Sequence, residues 1–259
     1  MKWITRVFWL WFLIGFILMV FWEVPDALEF SKSLFLLFFA IYAFALLRDS
    51  WNLSHLQSLW ILIPVGFLSL WIEAIGTATG WPFGHYTYGN DIGFKLLDVP
   101  ITISFAWIAI VTTVIMFSTS RPRWLRAFEV GIWAMCFDLV LDPAAVVQGW
   151  WNWHHTLAEG GEQSIFQVLW SSAAFYGIPF SNFVSWFLVA YLLSFFYPTF
   201  VTTRKTRRRA LRLYQLMIVM FAALCAKGGL VWPVLIALMV IVASEWRERH
   251  DQSRTTKLV

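Results

Sequence analysis

Long apolar runs almost free of charge dominate this chain and leave few folds open to it. No charged residue occurs between Val7 and Trp22, and comparable runs recur as far as Ala243. About 20 apolar residues in a helix cross a hydrocarbon core of roughly 30 Å, so such runs read as membrane helices. Composition agrees: of the 259 residues, 60% are hydrophobic and 13% charged, whereas an ordinary globular domain is about 45–50% apolar and about 25% charged. A soluble core of this size could not hide so many continuous runs.

Eight apolar segments can be drawn, at roughly 4–22, 34–48, 56–76, 99–118, 127–142, 180–197, 211–226 and 229–243. One helix over 211–243 would be about 50 Å long, far more than a bilayer needs. Lys227-Gly228-Gly229 supplies a turn, so a hairpin fits better. Lys2 and Arg6 before the first run resemble the start of a secretory signal, but the run ends in Phe21-Trp22-Glu23-Val24-Pro25, without a small-residue cleavage pattern. It is expected to stay as a first helix.

Loop charges orient the helices, because cytoplasmic loops carry the Lys and Arg excess. Basic residues gather at Lys2 and Arg6, at Arg121, Arg123 and Arg126, at 204–209, and at Arg247, Arg249, Arg254 and Lys257. The alternate loops are acidic or near neutral, with Glu23, Asp26 and Glu29 in the first and Glu159 and Glu162 in a later one. Eight helices with both ends in the cytoplasm fit every loop; seven would put the basic tail outside. The net charge of +4 is therefore a topology signal and does not call for nucleic acid. The expected architecture is an all-α, polytopic transmembrane bundle of about eight helices, one integral domain over 1–259. Two long loops, near 77–98 and 143–179, lie on the non-cytoplasmic side, and long ordered loops are usually functional. No internal repeat stands out.

An ionisable residue near a bilayer is costly and so a functional candidate. Glu73 lies in the last turn of the third segment. Asp98 precedes Val99-Pro100, where the fourth begins, and could equally be a helix N-cap. Asp138 and Asp142 are one turn apart in the fifth segment and share a face; a structural hydrogen-bonding role would also suit them. Asp142 precedes Pro143, which suggests that the helix ends there. All four carboxyls fall toward one side by topology.

The first long loop reads Gly80-Trp81-Pro82-Phe83-Gly84-His85-Tyr86-Thr87-Tyr88, and the second contains Trp150, Trp151, Trp153, His154, His155 and Tyr176. Both could be interfacial aromatic belts, where Trp and Tyr collect. Adjacent histidines do not have metal-site spacing, and Cys136 and Cys225, inside apolar runs, read as small buried hydrophobes. No P-loop, dinucleotide fingerprint or nucleophile elbow occurs, and no lysine lies mid-span to hold a retinal. Asp138-x-x-x-Asp142 could hold a magnesium diphosphate, but it is a single pair facing away from the cytoplasm.

At these residues the sequence resembles a known family. Glu73, Gly76, the Gly80–Tyr88 run and Val99-Pro100, followed by Asp138-Leu139-Val140-Leu141-Asp142-Pro143, Gly149-Trp150-Trp151-Asn152-Trp153 and Tyr176-Gly177-Ile178-Pro179-Phe180-Ser181-Asn182-Phe183-Val184-Ser185-Trp186, resemble the carotenoid biosynthesis membrane proteins that include the CruF-type carotenoid hydratases. The resemblance covers roughly 60–200; Ser185 departs from an expected glycine. It implies a hydro-lyase that adds water, without a cofactor, across the terminal C1,2 double bond of an acyclic isoprenoid end, as in lycopene or a bacterioruberin precursor. Such chemistry begins by protonating an alkene, and burial and a second carboxylate both favour a protonated carboxyl. Asp138 and Asp142 are the first choice for acid and base, with Glu73 and Asp98 as further catalytic candidates. Phe83, His85, Tyr86, Tyr88, Trp150, Trp153, Tyr176, Asn182 and Trp186 are the expected substrate-binding residues; no metal site is expected. Partners are the carotenoid, the cell membrane it dissolves in, and other enzymes of that pathway. A carotenoid cyclase or isomerase, and a non-catalytic carotenoid-binding membrane protein, remain alternatives.

Overall fold

A computed structural model of the chain describes residues 2–22, 24–90, 92–120, 122–154, 173–199 and 201–256. Within them lie eight α-helices: α1 (Lys2–Phe21), α2 (Phe30–Trp51), α3 (His55–Thr79), α4 (Ile101–Phe117), α5 (Arg123–Val147), α6 (Phe180–Leu193), α7 (Arg204–Lys227) and α8 (Val231–Thr256). Each matches one apolar segment of the sequence. α1, α2, α3, α5 and α7 are long and apolar enough to cross a membrane. α4 is shorter, and a 3-10 turn over Ser194–Phe196 extends α6. The chain is a membrane-type helical bundle. The expected hairpin is present: α7 stops at Lys227, Gly229 adopts φ +76°, and α8 packs back against α7.

Local chemistry sets the helix ends. Ser54 and Gln57 form a reciprocal capping box at the start of α3, and Gly80, at φ +75°, ends that helix. Pro143 does not end α5, contrary to the sequence expectation; the helix continues to Val147. Pro143, Ala144 and Ala145 are buried, so packing around this last turn outweighs the preference of the residue before a proline.

Short strands cross the end of the bundle where α3 and α5 finish and α4 and α6 begin. β1 (Tyr86–Tyr88) pairs antiparallel with β4 (Trp151–Trp153). β2 (Lys95–Leu96) and β3 (Val99–Pro100) form a hairpin through Leu97 and Asp98, both at positive φ. β5 (Ala173–Phe175) and β6 (Ile178–Pro179) form another through Tyr176 and Gly177, again at positive φ. Two-residue loops of this kind match the twist of the flanking strands.

These elements reveal a repeat that the sequence hides. Among the described residues, α3–β1–β2–β3–α4 and α5–β4–β5–β6–α6 share one order. Both hairpins lead into a proline, Pro100 or Pro179, that caps the next helix. Trp107 follows Pro100 at the spacing by which Trp186 follows Pro179, and the two indoles stack at 4.1 Å. Thr87 pairs with Asn152 at the centre of the β1–β4 ladder, so each strand is the other's counterpart. Even the close approaches correspond. A Cβ on Gly66 of α3 would meet Ile108 of α4 at 2.8 Å, and one on Gly131 of α5 would meet Phe187 of α6 at 2.6 Å. Both units cross in the same direction, as parallel membrane repeats do about an axis along the bilayer normal.

α4 is the most enclosed helix, packed on α2, α3 and α7. At the end away from the strands, charges are paired: Arg207 with Glu248 at 2.8 Å and Arg247 with Glu129. There Arg126 also donates to the carbonyls of Tyr197 and Pro198.

Candidate active site

The repeat brings its polar residues together under the β1–β4 ladder. Glu73, only 4% exposed near the end of α3, accepts from three donors. Trp107 Nε1 reaches Oε1 at 2.8 Å, and the Tyr86 and Tyr88 hydroxyls both reach Oε2, the latter at 2.8 Å. Burying a carboxylate without such partners would cost several kcal/mol, on the order of the penalty for any desolvated ion. Burial first, and the Glu73 charge second, push both phenols well above the ordinary tyrosine range, so they stay in the donor form.

The second cluster comes from α5 and α6. Asp138 and Asp142 share a face, both buried. Asn182, in the first turn of α6, donates its Nδ2 to Asp138 Oδ2 at 2.7 Å and to Asp142 Oδ2 at 2.5 Å. Trp151 also donates to Asp142. Asp138 Oδ1 is buried with no hydrogen-bond partner among the described residues.

Glu73, Asp142 and Asn182 line one cavity, with Phe83, Tyr86, Tyr88, Trp107, Trp151, Trp153 and Trp186 among its other walls. Its empty space is about 390 Å³, counted out to its open side. Asp138 does not line it; its contact is with Asn182, which does. A second cavity, about 610 Å³ on the same count, lies between α1, α2, α4, α5 and α7 and has an entirely apolar surface. Ile103, Ala106, Leu141 and Trp151 line both.

Of the four carboxyls expected to converge, three do. Asp98 is exposed on the β2–β3 turn, a left-handed position that Asp tolerates. It does not cap α4 either, because Pro100 occupies that place. Among the expected binding residues, Phe83, Tyr86, Tyr88, Trp153, Asn182 and Trp186 line the carboxyl cavity. Trp150 lines the apolar one. His85 is exposed, and its carbonyl accepts from His154 N, while the His154 ring bonds Thr87 at 2.8 Å. Tyr176 is exposed on the β5–β6 turn, again because the turn needs a left-handed residue. His155 and residues 156–172 of the second long loop lie outside the described residues. Trp107, Trp151, Ile103, Ala106 and Leu141 stand outside the sequence-derived set. Trp107 carried a signal: a tryptophan well inside a span, where tryptophan ordinarily favours the boundary.

Residues 30–244 match the family model described as "Carotenoid biosynthesis protein". The chain is also 27% identical over 172 residues to a bisanhydrobacterioruberin hydratase of Haloarcula japonica, a match covering 64% of this chain and 53% of the relative. The match thus spans about half of that relative's length. No solved structure matches the chain.

Proposed function

The chain belongs to the carotenoid biosynthesis protein family, and from that premise we propose that it hydrates the terminal double bond of an acyclic carotenoid end. The observation that carries this reading is the cavity shared by Asp142, Glu73 and the stacked Trp107–Trp186 pair. Asp142, as the carboxylic acid, gives its proton to the terminal alkene carbon C2, leaving a tertiary cation at C1. Indole faces stabilise a cation by roughly 0.5–2 kcal/mol each. Water forms the new C–O bond at C1, and its surplus proton passes to Glu73. Return of that proton through water to Asp142 restores the starting state, so one alkene and one water become one tertiary alcohol. Glu73 already accepts three bonds, and an ionised carboxylate has about four acceptor sites, so it retains one for this proton. The Trp153 N–H, buried in the cavity wall without a partner among the described residues, supplies a donor for the water. Asp138 acts through Asn182 as a positioning residue.

Loop charge supports a cytoplasmic location for both termini, which puts the cavity at the non-cytoplasmic end, where water and a bilayer-dissolved polyene can meet. Expression in a lycopene-accumulating host, followed by mass analysis of the pigments, tests the reading. A gain of one water that disappears with Glu73→Gln or Asp142→Asn is the expected result. A new ring at unchanged mass would make the protein a cyclase, and unchanged pigment would remove the hydratase reading.

A further inference from the structure

We propose that the apolar cavity between α1, α2, α4, α5 and α7 seats the chain of a long acyclic isoprenoid, and that Ala106 is the point it must pass to bring its end to the carboxyls. The choice of ligand rests on the hydratase reading; the seat itself rests on geometry. Three observations carry it. The cavity surface is apolar throughout, so a polar ligand would lose its hydration and gain nothing in return. Four residues, Ile103, Ala106, Leu141 and Trp151, belong to both cavities, so a molecule with one end at Glu73 and Asp142 has its next segment against this wall. Among the described residues, the single charged one lining the cavity, Lys32, lies in the first turn of α2, near the membrane boundary, where a lysine can lay its methylene stem along apolar surface.

Ala106 is the smallest of the four shared residues. In the repeat, its counterpart on α6 is Ser185, whose hydroxyl bonds the Pro82 carbonyl at 2.9 Å. The α4 side of the site has an apolar residue at the matching place, half-buried and on the cavity wall. Length selection follows. A short terpene needs only the carboxyl cavity, whereas a carotenoid needs both.

A phospholipid acyl chain shares the chemistry of the proposed occupant, so the test separates the two. Purified full-length protein in detergent is incubated with lycopene, the bound pigment is separated by gel filtration, and its absorption is read. Lipids extracted from the same fractions are identified by mass. Wild type is expected to retain lycopene. Ala106→Phe, at the shared wall, and Leu36→Trp, in the apolar cavity alone, are each expected to lower retention about tenfold or more, from the cost of overfilling a packed space. Both are scored only as monodisperse protein, and either suffices if the other fails to fold. Hydration of farnesene, a short terpene with the same terminal alkene, is expected to survive Leu36→Trp. If wild type binds lycopene but hydrates neither compound, and the variants lose the pigment, the seat stands and the hydratase reading falls. If the folded variants hold lycopene as wild type does, or if only phospholipid is recovered and lycopene never binds, the inference is overturned.

Discussion

Replacing Asn182 with leucine should unbalance the two aspartates unequally. In the wild type one amide serves both, at 2.7 Å to Asp138 and 2.5 Å to Asp142. A hydrogen bond to a charged group contributes about 1.5–3 kcal/mol and a neutral one about 0.5–1.5, so losing the bonds to the Asp138 carboxylate and to the Asp142 acid suggests a cost of about 3 kcal/mol. Bonds between membrane helices average nearer 0.6 kcal/mol, because the unfolded chain finds other partners in the bilayer. Here burial favours the larger figure. Asp138 is fully buried and its Oδ1 has no hydrogen-bond partner among the described residues, and leaving a buried polar group unsatisfied costs about 1–3 kcal/mol, more when it is charged. We therefore predict that Asn182→Leu destabilises the detergent-solubilised protein by about 3 kcal/mol, roughly a 150-fold shift in the folded-to-unfolded ratio. The partners then differ: Asp142 keeps both the Trp151 donor and its contact with Asp138, whereas Asp138 keeps only Asp142. Adding Asp138→Asn should recover more of the loss than adding Asp142→Asn. Denaturant melts of the two single variants and two double variants give the coupling energies. A loss within about 0.5 kcal/mol for the single variant, or equal recovery by the two second changes, would refute the shared-amide account.

Three other outcomes are expected. Trp107→Phe keeps the ring stacked on Trp186 but removes the donor to Glu73 Oε1; product formation per folded protein should fall about ten- to a hundredfold, for one hydrogen bond to a charged group. Asp98→Asn, on an exposed turn, should leave activity intact and move stability by less than about 0.5 kcal/mol; a loss of product would restore Asp98 to the candidate site. Tyr86 and Tyr88 have folded-state pKa values raised above the ordinary one, so the folded state holds their protons longer than the unfolded chain. The stability this contributes is complete below about pH 10 and declines as pH rises above it. Melting against pH should show that decline, and Tyr86→Phe with Tyr88→Phe should make it shallower.

Hydropathy exposes the helices because the bilayer demands whole apolar spans, and all eight are recoverable from it. Glu73, Asp138, Asp142 and Asn182 are likewise visible, since a polar group in such a segment has few bland explanations. Position in the sequence does not distinguish Asp98 from them. What separates it is the left-handed backbone of a two-residue hairpin, which depends on strand pairing rather than on neighbours in the chain. Pro143 misleads for a related reason: its local preference is real but weaker than the burial of the turn that follows it. Ile103, Ala106 and Leu141 look like any apolar residues in a span. Only the three-dimensional arrangement shows that they border a cavity instead of a neighbouring helix.

On the proposed hydration, the repeat explains how a nearly two-fold frame can hold a one-sided reaction. Glu73 and Asp138 occupy corresponding places on α3 and α5, each 13 residues before the first residue of the ladder strand that follows it, Tyr86 or Trp151. Thr102 and Ser181 also correspond, and each hydroxyl bonds a loop carbonyl, of Ile92 and Phe83. These shared features hold the frame. The differences are confined to a few places. Where α5 has Asp142, α3 has Thr77, whose hydroxyl turns back onto its own helix at the Glu73 and Ala74 carbonyls. Where α6 has Asn182 and Ser185, both hydrogen-bonded, α4 has Ile103 and Ala106, both lining the two cavities. One unit therefore supplies a polar clamp and the other an apolar wall, with the stacked tryptophans between them. A symmetric pair of polar clamps would offer two acids and no passage for a chain; a pair of apolar walls would offer passage and no proton. Divergence at these three corresponding positions gives both on one frame.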